Sequence, residues 1–142
     1  MLSKTIDLNN IKEDLKELSR YPVVVYGGYV KDRSIRDVDV AVITKSKDQS
    51  ENMHLWYDLI GKFPQVYDIK IFELLPLTIK ISIINNYKVI FGNSPDVSEY
   101  FYFYRKLWND QKHRIEENRF KSYEEKIRAI NRWRKVNNLL SA

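Results

Sequence analysis

The 142-residue chain carries 24 Lys and Arg against 19 Asp and Glu, a formal net charge of +5, and no cysteine. Its length suits one domain with a small appendage, and the missing thiols exclude a disulfide scaffold, a thiolate zinc site, an iron–sulfur cluster and a cysteine nucleophile. No apolar run approaches the roughly 20 residues that cross a bilayer, and the acids within MLSKTIDLNNIKEDLKELSR argue against a secretory signal, so a cytoplasmic protein without membrane association is expected.

Leu8, Ile11, Leu15 and Leu18 recur at helical spacing and predict an amphipathic helix over roughly residues 7–19, stopped by Pro22. Val23-Val24-Val25-Tyr26, bounded by Pro22 and Gly27-Gly28, reads as a buried strand. A charged loop or single turn covers Tyr29–Arg36. Asp37–Ile43 then alternates with period two, placing Val38, Val40 and Val42 on one face and Asp37, Asp39, Ala41 and Ile43 on the other.

Ser50 or Asn52 can cap a helix whose stripe is Met53, Trp56, Tyr57 and Ile60, closed by Gly61 and Pro64. Residues 66–73 form a third strand, with Val66, Asp68, Lys70 and Phe72 on one face and Tyr67, Ile69, Ile71 and Glu73 on the other. Pro76 opens a short apolar helix to Ile84, and Tyr87–Phe91 is a fourth strand ended by Gly92. Asp96 and Glu99 have capping-box spacing before a last helical region, either one long helix or two with a break near Lys121-Ser122. Strands alternating with helices give an α/β or α+β domain plus a helical tail.

The charge is unevenly placed. Residues 1–97 hold 13 basic and 13 acidic side chains, whereas residues 98–142 hold 11 and 6. The basic tail could attract nucleic acid or an acidic protein, but its acids are interleaved with its bases, which favours a solvated helix surface. His54 and His113 are too far apart in sequence to suggest a metal pair. The aromatic run from Tyr100 to Tyr104 puts Phe101, Tyr104 and Trp108 on one stripe, as core or subunit packing requires, and leaves Tyr102 on another face.

Two features carry chemistry. Gly27 and Gly28 leave a buried strand in a turn where backbone N–H groups can form an anion nest. Asp37 and Asp39 point the same way from the next strand, their Cβ atoms roughly 7 Å apart by strand rise. Carboxylates so placed repel each other unless a cation joins them, and magnesium can bridge carboxylates to phosphate oxygens. Asp68, which interrupts an apolar strand, is the candidate third acid; alternatively it is an ion-pair partner for Lys70 on a solvent face.

YGGYVKDRSIRDVDVAVI (Tyr26–Ile43) resembles the signature of the minimal nucleotidyltransferases of the DNA polymerase β-like superfamily, and VYDIKIFELLP (Val66–Pro76) resembles their later segment with the third acid. The resemblance covers about residues 20–95. It implies a small mixed sheet of about four strands with flanking helices over residues 1–95, and a helical extension over 96–142. It also implies Mg2+ held by Asp37, Asp39 and Asp68, with Asp68 helping to activate the attacking hydroxyl. Gly27, Gly28 and Lys31 would bind the triphosphate, ATP or another nucleotide. The implied reaction transfers a nucleoside monophosphate to an acceptor hydroxyl, and the family's antitoxin-type members work beside a helical partner protein.

The pattern departs from the family at two places. Gly28 replaces the usual serine and removes one phosphate hydrogen bond, and Asp32 replaces a glycine and adds negative charge near a polyphosphate. The alternative expectation is therefore a weakly active or inactive relative that binds a partner or forms a homo-oligomer through its C-terminal helices.

Overall fold

The computed structural model describes residues 7–29 and 37–140. In chain order its elements are α1 (Leu8–Asp14), β1 (Val23–Tyr26), β2 (Val38–Val42), α2 (Gln49–Leu59), β3 (Tyr67–Ile71), α3 (Leu77–Asn85), β4 (Tyr87–Phe91) and α4 (Ser94–Leu140), with short 3-10 turns at Lys16–Leu18, Gly27–Tyr29 and Phe72–Leu74. The four strands form one mixed sheet in the order β3-β2-β1-β4. β1 is antiparallel to both β2 and β4, while β2 and β3 run parallel. A parallel pair cannot be joined by a tight hairpin; here the crossover contains α2. The expected mixed α/β fold with a long C-terminal helix is the fold observed.

Apolar alternation fills both faces of the central strands. Val23, Val25, Val38, Val40 and Val42 are fully buried against Ile11, Leu15 and Leu18 on one face. Val24, Ala41 and Ile43 are buried against Phe72, Ile83, Val97 and Phe101 on the other. Phe72 is the hub of an aromatic group, with ring centroids 4.9 Å from Phe101 and 5.3 Å from Tyr104. Each such fully buried side chain contributes about 1.5–3 kcal/mol of apolar burial.

The chain divides into two compact units, Met1–Arg105 and Lys106–Ala142. The first turns of α4 belong to the first unit, where Val97 and Phe101 are buried. In the second, Phe120, Tyr123 and Trp133 are exposed. Among the described residues no helix is long and apolar enough to cross a membrane.

Several local expectations change. The N-terminal helix is shorter than its periodicity suggests, and a 3-10 turn carries Leu18 into the core. The cap of α2 is Asp48, whose Oδ1 accepts from the backbone N–H groups of Ser50 at 3.0 Å and Glu51 at 3.3 Å. Asn52 is instead buried one turn inside the helix. Tyr57 and Ile60 are exposed, and the inward positions of α2 are Asn52, Leu55, Trp56 and Leu59. At the start of α4, Asn93 Oδ1 accepts from the Asp96 N–H, so the helix opens three residues before the expected acid. It runs without a break past Lys121 and Ser122.

Candidate active site

The register places one row of side chains across the sheet: Tyr87 on β4, Tyr26 on β1, Asp39 on β2 and Asp68 on β3. Cα partners in register point to the same face, here the face covered by α3 and the start of α4. β1 runs opposite to β2 and β3, so the end of β1 and the starts of the other two strands meet at one end of the sheet. That is where Gly27, Asp37, Asp39 and Asp68 lie.

Gly27 adopts φ +72°, a left-handed conformation that glycine enters without strain. A Cβ there would sit 2.5 Å from Asp39 Oδ2. The glycine is thus the residue that lets the turn close over the Asp39 carboxylate. Gly28 faces open space, with nothing within 4 Å of where its Cβ would be.

Burial raises the Asp39 carboxyl above its ordinary value, and the negative charge of Asp68 adds to the rise. Lys70 opposes it, and Asp37 contributes a smaller upward push. The three acids therefore feel one another's charge at Asp39. Tyr26, next in the row, is held protonated by burial and then by Asp39 and Asp68. Asp68 also makes the ion pair its sequence allowed, with Lys70 Nζ 3.8 Å from Oδ2, both side chains about half exposed at 45% and 50%. Both readings of Asp68, acid-row member and ion-pair partner, hold together because Lys70 lies two residues along the same face.

Asp37 is exposed just ahead of β2. Among the described residues no three His, Asp or Glu side chains converge as a ready-made metal cluster. Lys31, together with Asp32, Arg33 and Arg36, lies outside the described residues.

A second polar cluster forms at the other end of β2 and β3, and the strand pattern did not disclose it. β3 ends at Ile71, and the 3-10 turn Phe72–Leu74 breaks the alternation. The Glu73 carboxylate accepts four hydrogen bonds there. Its donors are the Thr44 N–H at 3.0 Å, Thr44 Oγ1 at 3.1 Å, the Lys45 N–H at 3.0 Å and the Tyr100 hydroxyl at 2.6 Å. The Tyr100 phenol is pushed far up by burial and by this bond. Glu73 thereby ties the end of β2 to the start of α4.

No family model matches the chain. It is, however, 41% identical over 107 residues to the "Putative protein adenylyltransferase MJ1547" of Methanocaldococcus jannaschii, covering 75% of this chain and 84% of that protein. Solved structures share the fold at low identity. One is a chain of a toxin–antitoxin complex with AMP-PNP, at TM-score 0.56 and 14% identity, covering 71% of this chain and 89% of that one. Another belongs to the complex of tri-AMPylated Shewanella oneidensis HEPN toxin with MNT antitoxin, at TM-score 0.51 and 16% identity, covering 78% and 98%. With the archaeal relative matched over most of its length, and the acid row standing beside the glycine turn, the chain belongs to the minimal nucleotidyltransferases, the enzyme family expected from Tyr26–Ile43.

Proposed function

We propose that this nucleotidyltransferase moves AMP from ATP to a hydroxyl on a partner protein. The observation that carries the reading is Asp39 facing Asp68 across β2 and β3, with Gly27 closed over the first carboxylate. The name of the archaeal relative, and the AMPylated toxin in one structural neighbour, support adenylyl transfer to protein.

The residues fit a divalent cation. Two hard carboxylates in register, one of them with its proton affinity raised by burial and by the other, are a donor set that a doubly charged ion stabilises. Asp37, Asp39 and Asp68 would hold Mg2+, which when bound neutralises charge between carboxylates and phosphate oxygens.

The rest falls to the chain itself. The N–H groups at Gly27 and Gly28 offer donors to the triphosphate without a side chain in the way, and Lys31 supplies the family's basic position. Asp68, about half exposed, accepts the proton of the incoming hydroxyl. Residues 1–95 carry this chemistry, and the helical segment 96–142 is assigned to partner contacts.

The test is ATP titration with and without magnesium, followed by pyrophosphate release in the presence of a co-purified partner. Metal-dependent affinity and release, both lost in folded Asp37→Asn and Asp39→Asn, are expected. Binding indifferent to metal and to both substitutions overturns the proposal.

A further inference from the structure

The distal part of α4 carries apolar side chains that its own unit leaves exposed. Within Lys106–Ala142, Phe120 is 62% exposed, Tyr123 64%, Ile127 38% and Ile130 37%. They follow one another at steps of three, four and three residues. That is the narrow seam of a coiled coil rather than the wider stripe of a helix laid on a globular core. We infer that this seam is covered by the same segment of a second copy of the chain, running antiparallel about a two-fold axis at residue 125.

The apolar positions select a second copy. Positions 120 and 130 are symmetric about residue 125, and so are 123 and 127. In an antiparallel pair centred there, Phe120 meets Ile130 of the other copy and Tyr123 meets Ile127, and the axis repeats both contacts. Each pairing joins the first apolar position of one heptad to the second of another, as knobs-into-holes packing of opposed helices requires.

Charge selects the direction. The next seam positions outward are Glu116 and Arg134, again symmetric about residue 125 and both exposed. Among the described residues neither is in an ion pair within the chain, whereas Glu124, beside the seam, pairs with Arg128 at 3.8 Å. The antiparallel register sets Glu116 against Arg134 at both ends of the apolar centre. A parallel pair would instead set Glu116 against its own copy and Arg134 against its own copy, which repels. The surrounding charge agrees. Residues 116–125 hold four acids and two bases, and residues 126–135 hold five bases and no acid. Reversing one copy therefore lays the acidic half on the basic half.

Trp133, 66% exposed beside the seam, is brought to Arg119 of the other copy, a cation against an aromatic face. The stretch from Glu116 to Arg134 is about 28 Å long by helical rise. A contact so short makes a reversible dimer rather than an obligate one. Ile115, Val136 and Leu139 are exposed off the seam and stay available for the partner contacts assigned to this segment.

Sedimentation equilibrium of the full chain at rising concentration is expected to show monomer and dimer in exchange. Glu116→Arg and Arg134→Glu alter exposed positions, and circular dichroism should show their helix content unchanged. Each alone makes both ends of the seam repulsive and is expected to weaken the dimer by roughly tenfold or more. The two substitutions in one chain should restore it, and an equimolar mixture of the two single variants should pair where neither does alone. A chain that stays monomeric, a dimer indifferent to both single substitutions, or a dimer that the double substitution fails to restore overturns the inference. A monomer that binds an acidic polypeptide or an RNA strand through this segment overturns it equally, since the seam then takes another occupant. ATP affinity should be the same in every variant, so this outcome is independent of the adenylyl-transfer reading.

Discussion

Asp39 and Asp68 are direct register partners on adjacent parallel strands, two carboxylates on one sheet face with Lys70 as the nearby cation. Like charges opposite one another oppose folding. Under the proposed function their placement serves a bound cation rather than the stability of the fold.

Asp39→Asn should therefore abolish transfer and stabilise the protein. The folded carboxyl has its pKa raised above the ordinary 3.8, so the folded state holds this proton more tightly than the unfolded state does. Stability is then lost as pH rises from the unfolded value through the raised folded value, and the loss is complete above it. The amide removes that penalty. Asp39 is partly exposed, so solvent screens the repulsion and the gain at neutral pH is about 1 kcal/mol or less. Urea unfolding at pH 7 and near pH 4 checks this: the advantage of Asp39→Asn should shrink at the lower pH.

The two glycines of the turn should respond in opposite ways. Gly27→Ala forces a Cβ to 2.5 Å from Asp39 Oδ2 at φ +72°. The left-handed backbone alone costs about 1–2 kcal/mol, and relief of the clash must move the carboxylate, so both stability and transfer fall. Gly28→Ser meets open space and brings in the hydroxyl usual in the family. Unfolding free energy should change by less than about 0.5 kcal/mol, while the ATP dissociation constant drops. Calorimetric titration of ATP against both variants separates the two effects.

Much of this fold is legible because β-branched alternation marks each strand and Gly or Pro punctuates each end. Val38, Val40 and Val42 share a face in the chain as they do in the sequence. The acids could be nominated for a similar reason: Asp is a poor strand residue, and Asp39 and Asp68 interrupt apolar runs. Strand order is not written locally, so only the structure brings Asp68 opposite Asp39 instead of elsewhere on the sheet. Glu73 was hidden for a different reason. Period two puts it on the face of Ile71, but the 3-10 turn ends the alternation and aims it at Thr44 and Tyr100. Asp48 was hidden because Ser50 and Asn52 are equally good caps by composition; what distinguishes them is Asn52's burial and its bonds to Thr44 and Ser46.

Glu73→Ala should be the most destabilising of the polar substitutions considered. It strips the carboxylate acceptor from two backbone N–H groups and from the Tyr100 hydroxyl, while the Thr44 hydroxyl keeps Asn52 Oδ1 at 2.7 Å. Each donor left without a partner costs about 1–3 kcal/mol where water cannot enter; Lys45 is accessible enough to recover, so a total near 3 kcal/mol is expected. Glu73→Gln keeps acceptor capacity on one oxygen and should lose less than half as much. Chemical denaturation of both variants tests the order, and the reverse order would remove Glu73 as the link between β2 and α4.

Lys70→Met tests whether the cation serves the carboxylates or the fold. Its ion pair with Asp68 is about half exposed at 3.8 Å, and such pairs contribute about 0–1 kcal/mol, so stability should barely move. The site should respond more. Lys70 is the charge that pulls the Asp39 pKa down against burial and Asp68, so its removal should carry the Asp39 carboxyl further up, visible in a carbon-13 titration of labelled aspartate. The same loss deepens the negative potential of the acid row and should tighten binding of free Mn2+, followed by its electron paramagnetic resonance signal. An Asp39 titration that stays in place, with Mn2+ affinity unchanged, would mean that Lys70 is screened from the row by solvent and that its pairing with Asp68 is a surface contact alone.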